Sequence, residues 1–418
     1  MLFDGCTMKV IRTEQMWIGP DDNMSYYCHL SKNLWNEGNY IVEQGLYNNG
    51  KWIRHEELNK ILNRESGNYK ILPSQTANRI LYTLDKSWKA YFNVIRDYKI
   101  NPDKYEEKPK SPKYKKKNGE HILLFTNQQC KIKDGVVKLP KMKYKVETRL
   151  SDDIDLREVR IIPKGTGYVC EIVYNKEVDV KELDKNRIVG IDFGISNIVT
   201  IVNNIGLKSI IIKDNGTGIK SINQFYNKRR AELNNIYDKQ KVKDGYKMRK
   251  LEDKRDRKSH DYVHKLSRFI VDLCVEHDIG TIVFGYNEKW KQNVDIGKRN
   301  NQNFVFVPYN LIIEKTRCKA EELGIDVVKQ EESYTSKCSF LDNESIEHHD
   351  EYAGRRFTRS LFRSAKGTII HSDVNGGYNI VRKAKPEAFN VDGVGGCGLH
   401  PVRCKYDSIT RRGLEHVV

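Results

Sequence analysis

The chain has 418 residues, 38% hydrophobic and 31% charged, with a formal net charge of +17. No apolar run approaches the ~20 residues that a membrane-spanning helix needs, no signal peptide opens the chain, and no long amphipathic basic helix suggests a membrane surface, so no membrane partner is expected. The basic excess points to a polyanion, nucleic acid first. Nine cysteines without regular spacing read as reduced thiols and a cytoplasmic location, with action at the nucleoid of a bacterial host.

Residues 1–7 read as an addition before Met8, and Met8 to Trp17 alternates as a strand does. From Asn23 to about Tyr98 the pattern is helical. After Pro73 the residues Ala77, Ile80, Leu81, Leu84, Trp88, Tyr91, Phe92 and Ile95 recur at threes and fours. That stripe reads as a core face rather than a base-stacking face. Residues 108–117 (KPKSPKYKKK) form a basic loop broken by prolines. In most proteins it would be a solvated linker; at this net charge it reads as a phosphate-contacting loop, with Lys113, Lys115, Lys116 and Lys117 as candidates. Four short strands follow, at Ile122–Phe125, Gly135–Leu139, Val159–Ile162 and Tyr168–Tyr174. They predict a small β-barrel or sandwich joined by the Met8–Trp17 strand, with the helical block inserted in it.

From Arg187 the order of elements becomes specific. Three apolar runs, Ile188 to Phe193, Ile198 to Val202 and Ile210 to Ile212, predict an antiparallel meander. A long charged helix is expected over Ile222 to His277, a strand at Thr281–Phe284, a helix from Tyr309 to Leu323, a strand from Ile325 to Lys329, and a last helix from near Asp373 to about Lys385. The order β-β-β-α-β-α-β-α is that of the RNase H-like α/β fold, whose first strand is central, with the fourth beside it and the fifth outside. Asp192 then lies on the central strand, and Asp373 opens the helix that packs back toward it. Taken singly, Asp192-Phe193-Gly194 could be a turn and Asp373 a helix cap. Together they are what a pair of Mg²⁺ ions about 3.5–4 Å apart requires, since hard cations take oxygen ligands. After Pro386 the tail is rich in glycine and is expected to be disordered.

The motifs Gly190-Ile191-Asp192-Phe193-Gly194, Lys319-Ala320-Glu321 with Gly324, Tyr334-Thr335-Ser336-Lys337 and Asp373-Val374-Asn375-Gly376 stand in this order. Over roughly residues 185–385 the chain resembles the TnpB family, transposon-encoded RNA-guided DNA nucleases related to type V CRISPR effectors. The resemblance implies a RuvC nuclease domain at 186–333 and 369–386, a β-barrel wedge domain at 1–22 and 105–185, and a helical recognition domain inserted at 23–104. It also implies a target-nucleic-acid-binding insert at 334–368, before the tail at 387–418. A guide RNA of the omega type, from the transposon end, and a double-stranded DNA target are the implied partners. Mg²⁺ is the implied cofactor, with Mn²⁺ able to substitute.

The chain departs from the family pattern twice. The glutamate the family carries at the end of the fourth strand is replaced by Gly285. Glu288 lies three residues on in an exposed-looking loop, whereas Glu332, at the end of the fifth strand, sits one strand over, ~4.8 Å away. Some relatives carry a glutamate relocated to just before the Tyr-Thr-Ser-Lys motif, so the resemblance implies Asp192, Glu332 and Asp373 as catalytic and metal-binding residues, with Glu332 preferred to Glu331 by strand alternation. The second departure is a zinc ribbon reduced to Cys338, with no cysteine over Ser360–Gly367, so no structural zinc is expected. Arg355 and Arg356 in that insert, and Lys298 and Arg299 in a basic loop that is a lid in the family, are candidate nucleic-acid contacts. Because Gly285 removes the usual glutamate, a nuclease-dead RNA-guided repressor is the alternative, and a guide-free junction resolvase uses the same fold.

Overall fold

The computed structural model describes residues 7–194, 197–214, 218–243, 245–287, 307–389 and 400–406. They fall into two units, Lys9–Glu177 and the chain from Val178 onward together with its first residues. Among the described residues no helix is long and apolar enough to cross a membrane.

The first unit opens with β1 (Thr7–Ile18) and four helices, α1 (Asp22–Asn49), α2 (His55–Glu65), α3 (Gly67–Ile71) and α4 (Ser74–Ile100). Asp21 caps α1 by accepting the Met24 N–H at 2.7 Å, and Gly50 ends it in the left-handed region at φ 61°. The stripe on α4 is a core face as expected. Ala77, Ile80, Leu81, Leu84 and Trp88 are buried, and the Trp88 indole donates to Asn39 Oδ1 at 2.9 Å. Where a small barrel or sandwich is expected, the strands form two sheets. β2 (Leu123–Thr126), β6 (Asp155–Lys164) and β7 (Gly167–Asp179) join β1 in the order β1-β7-β6-β2, while β3 (Ile132–Lys133), β4 (Val136–Lys138) and β5 (Lys145–Glu147) form a separate three-stranded meander.

The second unit is built on a six-stranded sheet. β8 (Asp184–Phe193), β9 (Asn197–Asn203) and β10 (Ile210–Lys213) form the antiparallel meander, β11 (Ile279–Tyr286) runs parallel to β8, and β12 (Asp326–Glu331) runs parallel to β11. The order β12-β11-β8-β9-β10 is the RNase H-like arrangement that the element order predicts. Near-continuous apolar runs in β9 and β11 follow from burial on both faces. The expected long helix is two, α5 (Ile219–Gln240) and α6 (Tyr246–Glu276), broken where Lys241 adopts the left-handed region at φ 54°. α7 (Tyr309–Glu321) precedes β12. In the insert, β13 (Arg355–Arg356) and β14 (Leu361–Arg363) form one small sheet with β15 (Ile369–His371), which lies just after it, and α8 (Ser372–Ala384) follows.

The tail needs correction. β16 (Val402–Lys405) pairs parallel with β10 and forms the sixth strand, with Cys404 and Tyr406 buried and the Tyr406 ring stacked 4.3 Å from Tyr262. Main-chain pairing and an aromatic contact order a segment whose own composition reads as disordered.

Candidate active site

Glycine sets how closely α8 approaches the sheet. A Cβ on Gly190 would lie 2.3 Å from Val381 Cγ2 and 3.0 Å from Gly377 O, and one on Gly377 would lie 2.9 Å from Val202 Cγ1. Helix backbone therefore packs directly on the strands, among Ile188, Val202, Val374, Ile380 and Val381. Alternation along β8 sends Val189, Ile191 and Phe193 into the core on the opposite face and leaves Ile188, Gly190 and Asp192 under the helix.

Asp192 ends up beneath the first turn of α8, where a Cβ on Gly376 would lie 3.4 Å from its Oδ2. It keeps some access to water yet sits deep among protein atoms. Burial first, then the charges of Asp373 and Glu332, hold its carboxyl well above the usual range, against the opposing Arg356 charge and the Phe193 N–H.

Asp373 Oδ2 accepts from Asn197 Nδ2 at 2.7 Å, and its Oδ1 lies 3.7 Å from the Arg356 guanidinium. The cap of α8 is supplied by His371, whose Nδ1 accepts the Asp373 N–H at 3.3 Å. The Asp373 carboxylate is thus not the cap of its helix but engages β9 and the insert. Arg356 also bonds Arg359 O, which steadies it there. Arg355, its neighbour in β13, is exposed.

Glu332 follows β12, whose register sets Gly285 beside Gln330 and Tyr286 beside Glu331. Its Oε2 lies 3.1 Å from the position of a Cβ on Gly285. Glu331 turns to solvent, accepts the Ser333 N–H at 2.7 Å and pairs with Lys383 at 2.8 Å. Sequence reasoning missed Tyr309, the first residue of α7. Its buried hydroxyl donates to Gly194 O at 3.1 Å, and burial chiefly, with the charges of Asp192 and Glu332, raises its pKa.

Also missed were the two asparagines that fasten the insert. Asn375 accepts the Phe340 N–H at 3.0 Å and donates to Cys338 O at 2.9 Å, while Asn379 donates to Thr335 O at 2.9 Å and Cys338 O at 2.8 Å. Two buried asparagines at i, i+4 on an apolar helix were the available signal. Cys338 is buried, and its thiol donates to Glu347 O at 3.6 Å.

Of the expected site residues, Asp373 and Glu332 both exert their charge on Asp192. Lys298, Arg299 and Glu288 lie outside the described residues. The lysine loop belongs to the other unit, where it is tied to α1. The Trp35 indole donates to Lys113 O at 3.4 Å, Asn36 bonds both the N–H and the carbonyl of Lys115, and Lys32 Nζ donates to Lys117 O at 2.7 Å. Lys113, Lys116 and Lys117 are exposed, while the Lys115 ammonium sits 4.5 Å over the Trp35 ring.

The donor set suits a hard divalent cation, because it is all carboxylate oxygen and its mutual repulsion is what a cation relieves. As the side chains stand, no three His, Cys, Asp or Glu residues have the spacing of a closed metal site among the described residues. Asp373 is engaged by Asn197 and Arg356.

A meander with a central aspartate, flanked by parallel fourth and fifth strands and crossed by an aspartate-bearing helix, defines an RNase H-like domain. Two family models match the chain: OrfB_IS605, described as a probable transposase, over residues 171–291, and the Cas12f1-like TNB domain over residues 309–380. The TnpB-like protein ORF457 of Acidianus two-tailed virus is 23% identical over 412 residues, 87% of this chain and 85% of that protein. The CRISPR-associated endodeoxyribonuclease Cas12f1 of Sulfoacidibacillus thermotolerans is 30% identical over 228 residues, 51% of this chain and 49% of that one. Cas12f1 in its complex with sgRNA and target DNA superposes with a TM-score of 0.53 over 87% of this chain and 83% of that one, at 14% identity, a likeness of fold alone. The chain is thus similar to a TnpB-like protein and to a Cas12f1 endodeoxyribonuclease.

Proposed function

We propose that the protein is an RNA-guided, Mg²⁺-dependent DNA endonuclease of a transposon, which uses a guide RNA from the element's end to cut double-stranded DNA beside a short adjacent motif. One observation carries this reading: Asp192, on the central strand, is under the charges of both Asp373 and Glu332, and Glu332 stands beside the glycine that leaves the fourth-strand position empty. The TnpB-like and Cas12f1 relatives support it. Asp192, Glu332 and Asp373 would hold the ion, and Mg²⁺, or Mn²⁺ in its place, would supply Lewis acidity and positive charge there.

The chain's own residues do the rest. Asn197 and Arg356 orient Asp373, and Tyr309 ties the start of α7 to the end of β8. Arg355 and Arg356 offer guanidinium forks to the phosphates of the strand being cut. The guide pairs with the target and reads its sequence. The sheets of residues 1–22 and 105–185 serve as the wedge and the helices of 23–104 as the recognition domain. They hold the RNA and read the adjacent motif, with Lys113, Lys116 and Lys117 on phosphates.

The test is cleavage of a plasmid library by protein co-expressed with its downstream flanking DNA. Cutting in Mg²⁺ that stops in EDTA and after removal of the RNA is the expected result. Gly285 favours one other reading, a guide-dependent repressor, and guide-dependent binding without cutting would establish it. Cutting without RNA would make the protein a guide-free nuclease instead.

A further inference from the structure

Away from the carboxylates, α5 and α6 enclose a cleft of about 480 Å³, within the ~300–1,000 Å³ range of small-ligand sites. Its apolar side is made by Ile222, Phe225, Tyr226 and Leu251, and Lys254 and Lys258 stand at its rim. Phe225 is 54% exposed, unusual for an aromatic ring on a helix that buries Tyr226 one residue on. Lys254 and Lys258, one turn apart, project from the same face of α6, and the Lys254 ammonium is 5.8 Å from the centre of the Phe225 ring. The nearby acids are engaged: Glu252 by the Tyr226 hydroxyl at 3.5 Å, and Asp256 by Arg255 at 3.9 Å. Arg255 lies over the Tyr226 ring and donates to Asn223 at 3.0 Å.

An open aromatic face beside two cations is what a single-stranded nucleic acid binds, one base stacked and its phosphates neutralised. The cleft also lies on the side of the insert: Lys220, next to Ser221 of the cleft wall, feels the charge of Arg359, whose carbonyl holds Arg356 beside Asp373. The geometry points to a seat for one nucleotide of the single-stranded DNA delivered to the carboxylates, with its base on Phe225 and its phosphates on Lys254 and Lys258. The choice of DNA rests on the proposed function; the stacking and charge do not.

The test uses the full-length protein in EDTA, so that cutting plays no part, and a fluorescein-labelled oligothymidylate of about 12 nucleotides. Fluorescence anisotropy should show Phe225→Ala weakening binding roughly tenfold and Phe225→Tyr retaining it. Replacing both lysines, Lys254→Gln with Lys258→Gln, should lower the slope of log affinity against log salt by about 1.4, about 0.7 for each phosphate that is no longer neutralised. Wild-type affinity in Phe225→Ala, or an unchanged slope in the lysine pair, would overturn the proposal. So would a penalty confined to an oligouridylate of equal length, which would make the seat one for RNA. Self-association abolished by Phe225→Ala in sedimentation velocity would make the cleft a contact between copies. A wild type that binds through Phe225 but never cuts would overturn only the nuclease reading.

Discussion

Glu332 Oε2 stands 3.1 Å from the point where a side chain on Gly285 would begin. A carboxylate from the fifth strand thus occupies the volume that a fourth-strand side chain would fill. The two positions are coupled, because neighbouring strands lie only ~4.8 Å apart.

Restoring a glutamate at 285 should therefore not help. A Cβ there would lie 2.5 Å from Ile380 Cδ1 as well as against Glu332, and overpacking of this kind costs ~1–3 kcal/mol. Gly285→Glu is expected to lower the melting temperature, and to lower it less once Glu332→Ala has vacated the space, measured by thermal unfolding of the single and double variants.

Gly190 controls the spacing between Asp192 and Asp373. Gly190→Ala drives a methyl into Val381 and the Gly377 carbonyl, with backbone on one side and so little room to relax. A loss of ~1–3 kcal/mol is expected, together with a fall in cleavage larger than the fall in stability explains, because α8 must lift. Denaturant unfolding and single-turnover cleavage of the same preparation check both.

Asn379 bridges the Thr335 and Cys338 carbonyls inside the protein. Asn379→Ala leaves the Thr335 carbonyl unpaired, at ~1–3 kcal/mol, while Cys338 O keeps the Asn375 amide. Limited proteolysis should then cut within 334–368 sooner than in wild type, with the rest of the second unit unaffected.

Much of this domain is legible from the sequence, for a physical reason. Strands buried on both faces write unbroken apolar runs, so β9 and β11 declare themselves, and the shorter runs of β8, β10 and β12 complete the order of the sheet. The break between α5 and α6 hides in a charged stretch, with Gly245 as its only sign. β16 is four residues of mixed polarity, and its strand state comes from pairing with β10 rather than from its own pattern. Among the site residues, Asp192, Glu332 and Asp373 carry motif and alternation signals. The contact of Arg356 with Asp373 and the place of Tyr309 are tertiary facts with no local signature.

In the first unit, His121 should impose a pH dependence on stability. Burial first, then the Lys115 charge, lower its pKa to about 4, and its Nε2 is buried without a partner. Above about pH 6.5 both folded and unfolded states are neutral there, and stability is unaffected. As pH falls from ~6.5, the unfolded chain takes up the proton first, so stability declines progressively until about pH 4, by about 2–4 kcal/mol in total. Melting curves across that window should show the decline in wild type and a flatter profile in His121→Leu.

The most direct test of the central claim is cleavage of a matched target by the guide-loaded protein, with Glu332→Gln compared with wild type at equal DNA occupancy. The substitution keeps the shape of the side chain and removes its charge. Wild type is expected to cut in Mg²⁺, while Glu332→Gln binds the target equally well and does not cut. Cutting by Glu332→Gln at the wild-type rate would contradict this and return the third carboxylate to an unassigned position.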